Sequence, residues 1–172
     1  MSKVVLVIAH SGYQATEYEE PKRILEQAHH TVVTASNKPG RATAHDGSSI
    51  KVDTTVNHIH VGDFDAIFFI GGPGALENLD NKKSYVILKD TYLAGKPVGA
   101  ICISSRILAK AGILENRHAT GWDGDHQLSK VFSYYKVHRV KEDVVVNGKI
   151  VTAVGPHAAQ EFGKAILTIL PK

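Results

Sequence analysis

The chain has 172 residues, enough for one sizeable core, and we expect a single domain over residues 1–172. Its 43% apolar and 22% charged residues are ordinary for a soluble globular protein, and no apolar run is long enough to span a bilayer. The net charge of +3 forms no basic stripe, which argues against a nucleic-acid partner, and the single cysteine excludes an internal disulfide and favours a reducing, cytoplasmic setting.

Apolar strands and helices alternate along the sequence. The patterns predict, in chain order, a strand at 3–9, a polar turn at 10–13, a helix at 17–29, a strand at 31–35 and a hairpin over 41–56. They then predict a strand at 66–70, a glycine turn at 71–74, a helix at 82–94, a strand at 98–101 and a short strand at 118–120. A hairpin of strands 144–146 and 149–154 and a helix over 155–170 complete the series.

Continuous apolar strands separated by helices indicate a mostly parallel sheet that is covered on both faces. In such α/β sheets, ligands bind at the carboxyl ends of the strands, near the point where strand order reverses. The loops at 10–16, 71–76 and 102–106 all follow predicted strands. We therefore expect these three loops to meet at one edge of the sheet.

Cys102 occupies a predicted turn between a buried strand and a helix. The small residues Ala100 and Ser104 lie two positions on either side, as a strained nucleophile elbow requires. We expect the thiol to be exposed at a helix N-terminus, where free N–H groups favour the reactive thiolate. The alternative is a small, inert core residue.

Backbone N–H groups near this turn are candidates for an oxyanion hole. Gly72, in the glycine turn, and Ile103, which follows the cysteine, match the arrangement in elbow enzymes, although a simple tight turn is the alternative at 71–74. Gly71 and Trp122 are candidates for the wall of the pocket.

Histidines are numerous, with ten in the chain. We consider His10, His126 and His157 as general bases, since their segments can approach the strand ends, with surface or capping roles as the alternative. His58 and His60 have a spacing found in some metal sites when it falls on a strand. Because no further ligands complete a set, we expect neither a metal nor a cofactor.

Several segments resemble the ThiJ/PfpI superfamily, which includes the PfpI peptidases and relatives of Parkinsonism-associated protein 7. The resemblance covers nearly the whole chain in the right order. It is carried by residues 17–21, 69–74, 96–102, 107–114, 145–152 and 155–156.

The resemblance implies a flavodoxin-like α/β fold, a three-layer sandwich with the cysteine elbow, and a homodimer or larger homo-oligomer. It also implies that Cys102 is paired with a glutamate after the first strand, and Glu17 stands at the matching position. A glutamate in the first turn of a helix can instead simply complement the helix dipole. One proton shared by Glu17 and Cys102 would let the carboxyl group move protons during a reaction.

Relatives are credited with peptide hydrolysis, hydration of methylglyoxal, repair of glycated amines, and redox sensing or chaperone activity. Ile103 stands where peptidase-like members have histidine, which argues against a peptidase. We therefore expect a glyoxalase, deglycase or hydrolase acting on a small carbonyl compound. The alternative is a non-enzymatic stress sensor based on oxidation of Cys102. A glutaminase-like amidotransferase ranks lower, because residues 157–161 lack its His-x-Glu dyad.

Overall fold

The fold contains twelve strands and six helices, in a computed structural model that describes residues 1–172. The strands are β1 (Lys3–Ile8), β2 (Ser11–Tyr13), β3 (Thr31–Ser36), β4 (Arg41–Ala44), β5 (Ser49–Lys51), β6 (Thr54–Thr55), β7 (Ala66–Phe69), β8 (Val98–Ile101), β9 (His118–Ala119), β10 (His138–Arg139), β11 (Val144–Asn147) and β12 (Ile150–Ala153). The helices are α1 (Ala15–Gln27), α2 (Ala75–Leu79), α3 (Lys82–Leu93), α4 (Ser105–Lys110), α5 (Leu128–Tyr134) and α6 (Ala159–Ile169). Short 3-10 turns at Cys102–Ser104 and Pro156–Ala158 precede α4 and α6.

Seven strands form the central sheet, in the order β11-β12-β8-β7-β1-β3-β6. Every neighbouring pair is parallel except the antiparallel hairpin of β11 and β12. The chain builds outward from β1 to β3 on one side and then continues through β7 and β8 on the other. Strand order therefore reverses at β1, and the carboxyl end of β1 is the expected place for a ligand.

Helices cover both faces of this sheet. Helix α1 packs against α6, and α3 packs against α4. Residues 4–8 of β1 are completely buried, which explains why the strand is apolar without alternation. The rings of Phe68 in β7 and Phe162 in α6 meet edge to face at 6.0 Å and join the sheet to a helix layer. The predicted three-layer, mostly parallel α/β architecture is confirmed.

Short elements account for the differences from the predicted pattern. The expected polar turn at 10–13 is wrong, because β2 forms there and pairs in parallel with β4 in a separate three-stranded sheet. The predicted strand at 118–120 exists as β9, but it pairs only with β10, outside the central sheet. Elements α2, α5 and β10 were not predicted, since two to seven residues are too few to establish a periodicity.

The helices of this fold are too short or too polar to cross a lipid bilayer.

Candidate active site

The backbone at Cys102 makes the sharp turn that the sequence predicts. Strand β8 delivers Cys102 from the sheet interior, and Cys102 itself has φ 64°, in the left-handed region. A residue other than glycine pays about 1–3 kcal/mol for such a conformation, so surrounding contacts must impose it. One of these contacts is the buried hydroxyl of Ser104, which donates a hydrogen bond to the carbonyl oxygen of Ile70 at 2.7 Å.

Helix α1 brings a carboxyl group to this turn. The side-chain oxygen of Gln14 caps the helix by accepting hydrogen bonds from the N–H groups of Thr16 and Glu17 at 2.7 and 3.3 Å. Glu17 thereby lies in the first turn, and its side chain points into the protein with no solvent exposure. Its Oε2 accepts a hydrogen bond from the N–H of Gly71 at 2.9 Å.

The Glu17 carboxyl group lies against the Cys102 thiol. Oε1 is buried and has no partner of ordinary hydrogen-bond geometry, while the thiol is close enough to the carboxyl group to lower its pKa. The predicted neighbours are therefore brought together.

Glycine at position 71 is necessary for this approach. A Cβ atom there would lie 2.5 Å from the Cβ of Cys102 and 2.6 Å from Oε2 of Glu17. Both distances are far below van der Waals contact. Because Gly71 has only hydrogen atoms on its Cα, the Glu17 carboxyl group and the Cys102 thiol have room to approach each other.

Burial controls the protonation of the pair. It raises the pKa of Glu17 from 4.5 to about 7, against the opposing hydrogen bonds from Cys102 and Gly71. Burial and the charge of Glu17 also raise the pKa of the Cys102 thiol. Two negative charges are too costly in this space, so above neutral pH the pair retains one shared proton.

The environment of the thiol corrects the expectation of an exposed, acidified cysteine. Cys102 is only 7% exposed, and α4 begins three residues later, at Ser105. The backbone N–H groups of Ile103 and Gly72 lie near enough to the sulfur to lower the pKa of the thiol, but burial and the charge of Glu17 raise that pKa by more. The prediction of a lowered pKa for the Cys102 thiol is therefore wrong.

A cavity of about 230 Å³ opens onto the pair. The cavity wall consists of Gln14, Glu17, Gly72, Pro73, Cys102, Ile103, Trp122 and Pro156. The prediction that Gly71 forms part of the wall is wrong, because Gly71 does not line the cavity and instead lies against Cys102 and Glu17. Three wall residues, Gln14, Pro73 and Pro156, were not among the predicted site residues. Glutamine is not a preferred N-cap residue, and the two prolines are ordinary in a tight turn and at a helix start.

The candidate oxyanion donors lie beside the sulfur. The N–H groups of Gly72 and Ile103 lie near enough to Cys102 to lower the pKa of its thiol, so an oxygen formed on a carbon bound to the sulfur would develop close to them. Gly72 has φ 124°, which a residue with a side chain rarely adopts.

The three candidate histidines do not line this cavity. His10 contacts the carbonyl oxygen of Pro39 at 3.1 Å through Nε2. His157 is largely exposed and lies 3.4 Å from Asp143, and His126 is exposed in the loop before α5. The structure thus assembles Cys102, Glu17, Gly72, Ile103 and Trp122 without them.

The His58–His60 segment does not form a strand. His58 ends a 3-10 turn, where its Nδ1 contacts the hydroxyl of Thr55 at 2.6 Å. No cluster of three or more histidine, cysteine, aspartate or glutamate side chains is arranged to hold a metal ion.

Comparison with known proteins identifies the family. The sequence model of the DJ-1/PfpI family matches residues 2–169, and the chain belongs to this family. Deglycase PfpI of Pyrococcus furiosus is 30% identical over 88% of this chain and 90% of its own length. The putative cysteine protease YraA of Bacillus subtilis is 28% identical over 99% of both chains. The crystal structure of a ThiJ/PfpI domain protein from Brachyspira murdochii has a TM-score of 0.90 at 28% identity, covering 97% of this chain and 95% of that one.

Replacement of Glu17 by glutamine should change how stability depends on pH. A pKa raised on folding means that the native state binds the proton more tightly than the unfolded chain. The wild type therefore loses about 3 kcal/mol as pH rises from 4.5 to about 7, and Glu17→Gln escapes this loss. Urea unfolding at pH 4 and pH 8 measures it.

Glu19→Gln, in the same helix but exposed, is the matched control and should follow the wild type. A Glu17→Gln stability difference that is the same at both pH values would contradict a raised carboxyl pKa.

The Gly71→Ala variant tests the close approach. The added methyl group has to displace the acid or the thiol, and we expect a loss of about 1–3 kcal/mol in unfolding free energy. At Gly62 an added Cβ meets nothing within 4 Å, so Gly62→Ala is the matched control and should change stability by about 0.5 kcal/mol or less. Equal effects of the two substitutions would refute the close packing at Gly71.

Proposed function

We propose that this chain is a cysteine-dependent enzyme of the glyoxalase or deglycase type, acting on small carbonyl compounds in a reducing, cytoplasmic setting. The carrying observation is the buried contact between the Glu17 carboxyl group and the Cys102 thiol at the wall of a cavity. Relatives named deglycases, such as that of Pyrococcus furiosus, support this class of chemistry. The family resemblance further leads us to propose a homodimer or larger assembly.

The shared proton gives each member of the pair a role. In one arrangement the proton lies on Glu17 and the sulfur is a thiolate, which is the nucleophilic form. Glu17 then holds a proton beside the place where the substrate oxygen gains charge. The N–H groups of Gly72 and Ile103 stabilise the same oxygen.

A 2-oxoaldehyde illustrates the proposed steps. The thiolate attacks the aldehyde carbon, a C–S bond forms, the π electrons move to oxygen, and that oxygen takes the proton from Glu17 to give a hemithioacetal. The Glu17 carboxylate then transfers the hydrogen of that carbon, as a proton, to the neighbouring carbonyl carbon, while the hydroxyl proton passes to the second oxygen. The product is a thioester with no net oxidation. Water hydrolyses it to a 2-hydroxy acid and restores the thiol.

Peptide hydrolysis fits this site less well. Acyl transfer to cysteine ordinarily uses a histidine base beside the nucleophile, and Ile103 occupies the next position in this chain. The name of the Bacillus subtilis relative, a putative cysteine protease, is therefore not extended to this protein.

Turnover of methylglyoxal, and of its adduct with an amine, tests the proposal. Cys102→Ser should lower turnover to the uncatalysed rate, since the hydroxyl is not ionised in this pH range. Glu17→Gln should lower kcat/KM by about 10²–10⁴, the usual contribution of a general acid–base group. The control Glu19→Gln should retain wild-type rates.

Wild-type turnover no faster than that of Cys102→Ser would refute the enzyme. If Cys102 alone then gained oxygen atoms under dilute peroxide, as seen by intact mass, the redox-sensor alternative would replace it.

The pH profile provides a separate prediction. Below about pH 7 both groups are protonated and the thiol is inert; above it one proton is shared and the thiolate form becomes accessible. We expect wild-type kcat/KM to rise with pH through a midpoint near 7 and then to level off. A profile that is flat between pH 5 and 9 would contradict the role of this pair.

A further inference from the structure

Trp122 is held against the catalytic turn by several contacts. Its backbone N–H donates to the carbonyl oxygen of Cys102 at 3.2 Å, so the loop is attached to the nucleophile's own residue. On the other side, Gly124 lies so close to the indole that an added Cβ would be 2.3 Å from a ring carbon. Trp122 is 36% exposed and forms part of the cavity wall.

A buried arginine fixes this loop. Arg106, in the first turn of α4, is only 5% exposed, and its guanidinium group donates to both carboxylate oxygens of Asp125, at 2.9 and 2.6 Å. The same group donates to the carbonyl oxygen of Trp122 at 3.2 Å and lies 5.7 Å from the centre of the indole ring. A bidentate pair of this kind is geometrically specific. Arg106 and Asp125 thus act as positioning residues for Trp122.

The cavity that results is mostly apolar around one negative charge. Pro73, Ile103, Trp122 and Pro156 contribute hydrocarbon surface. The Glu17–Cys102 pair carries one negative charge when it shares its single proton, and the charge of Arg106 is engaged by Asp125. An anionic substrate would meet repulsion here, whereas a flat apolar group would find the indole face.

We propose that Trp122, positioned by the Arg106–Asp125 pair, selects neutral carbonyl compounds that carry an apolar or aromatic substituent. The aldehyde carbon lies at the sulfur of Cys102 and the substituent lies along the indole. This substrate class rests on the proposed function, but the geometry behind it is testable without turnover.

Alkylation of Cys102 by three iodo compounds measures the preference. Iodoacetamide is small and neutral, iodoacetate is similar in size but anionic, and N-benzyl-iodoacetamide is neutral and aromatic. In each case the sulfur forms a C–S bond and iodide leaves, and intact mass reports a single adduct, because the chain has one cysteine. Each rate is divided by the rate with N-acetylcysteine to remove the intrinsic reactivity of the reagent.

We expect the corrected rate for iodoacetamide to exceed that for iodoacetate by about tenfold or more, as one unfavourable charge contact predicts. The benzyl reagent should exceed iodoacetamide by about 3–10-fold through contact with the indole. Trp122→Ala should remove this second preference while Trp122→Phe keeps most of it. Equal ratios in the wild type and Trp122→Ala would overturn the proposal.

The positioning pair has its own readout. Trp122 is the only tryptophan, so tryptophan emission, excited selectively to avoid the tyrosines, reports on this wall alone. Asp125→Asn should increase acrylamide quenching and reduce the benzyl preference, whereas Asp143→Asn, at an exposed acid, should change neither. Unchanged quenching in Asp125→Asn would refute the positioning role.

The outcomes separate the two proposals. If the protein shows no turnover but the alkylation preferences are observed, the proposed function is refuted and the proposed selectivity of the Trp122 wall is supported. Turnover together with equal rates for all three reagents would overturn the wall and leave the proposed function intact.

Discussion

The Glu17 carboxyl group and the Cys102 thiol are enclosed together and share a single proton above neutral pH. The rest of the site is arranged around this constraint. The space is too poorly solvated for two negative charges, so ionisation of one group keeps the other protonated. Helix α1 provides the acid, and the turns that follow β7 and β8 provide the gap at Gly71 and the sulfur. The left-handed backbone at Cys102 is the conformational cost of placing that sulfur beside the acid.

Much of the central sheet could be predicted, because burial of a strand directly determines which residues the strand contains. Strands buried on both faces must be continuously apolar, so β1, β7 and β8 were identified together with the edge at which they end. The turn at Cys102 was predicted from its small neighbours Ala100 and Ser104. Glu17 required the family resemblance, because composition and spacing do not distinguish it from Glu19, which lies exposed in the same helix.

The features that could not be predicted depend on residues that are far apart in the sequence and close together in the fold. A position close to a helix end predicts an acidified thiol, but desolvation and the charge of Glu17, which arise only in the packed structure, raise the pKa of the thiol. The ion pair of Arg106 and Asp125 joins a helix to a loop across 19 residues, and neither residue has a sequence signal that names its partner. The sequence places the segments of His10, His126 and His157 near the strand ends, but none of the three residues lines the cavity.

The hydrogen bond between Gly71 and Glu17 closes a separation of 54 residues, and Cys102 lies further still along the chain. No short stretch of polypeptide therefore contains both partners of the pair. While the protein is being synthesised, its one thiol is an ordinary solvated group, with the usual ionisation and no acid beside it. Its special chemistry begins only when β1, β7 and β8 lie side by side, so the ionisation behaviour of Cys102 reports on completed folding of the sheet centre.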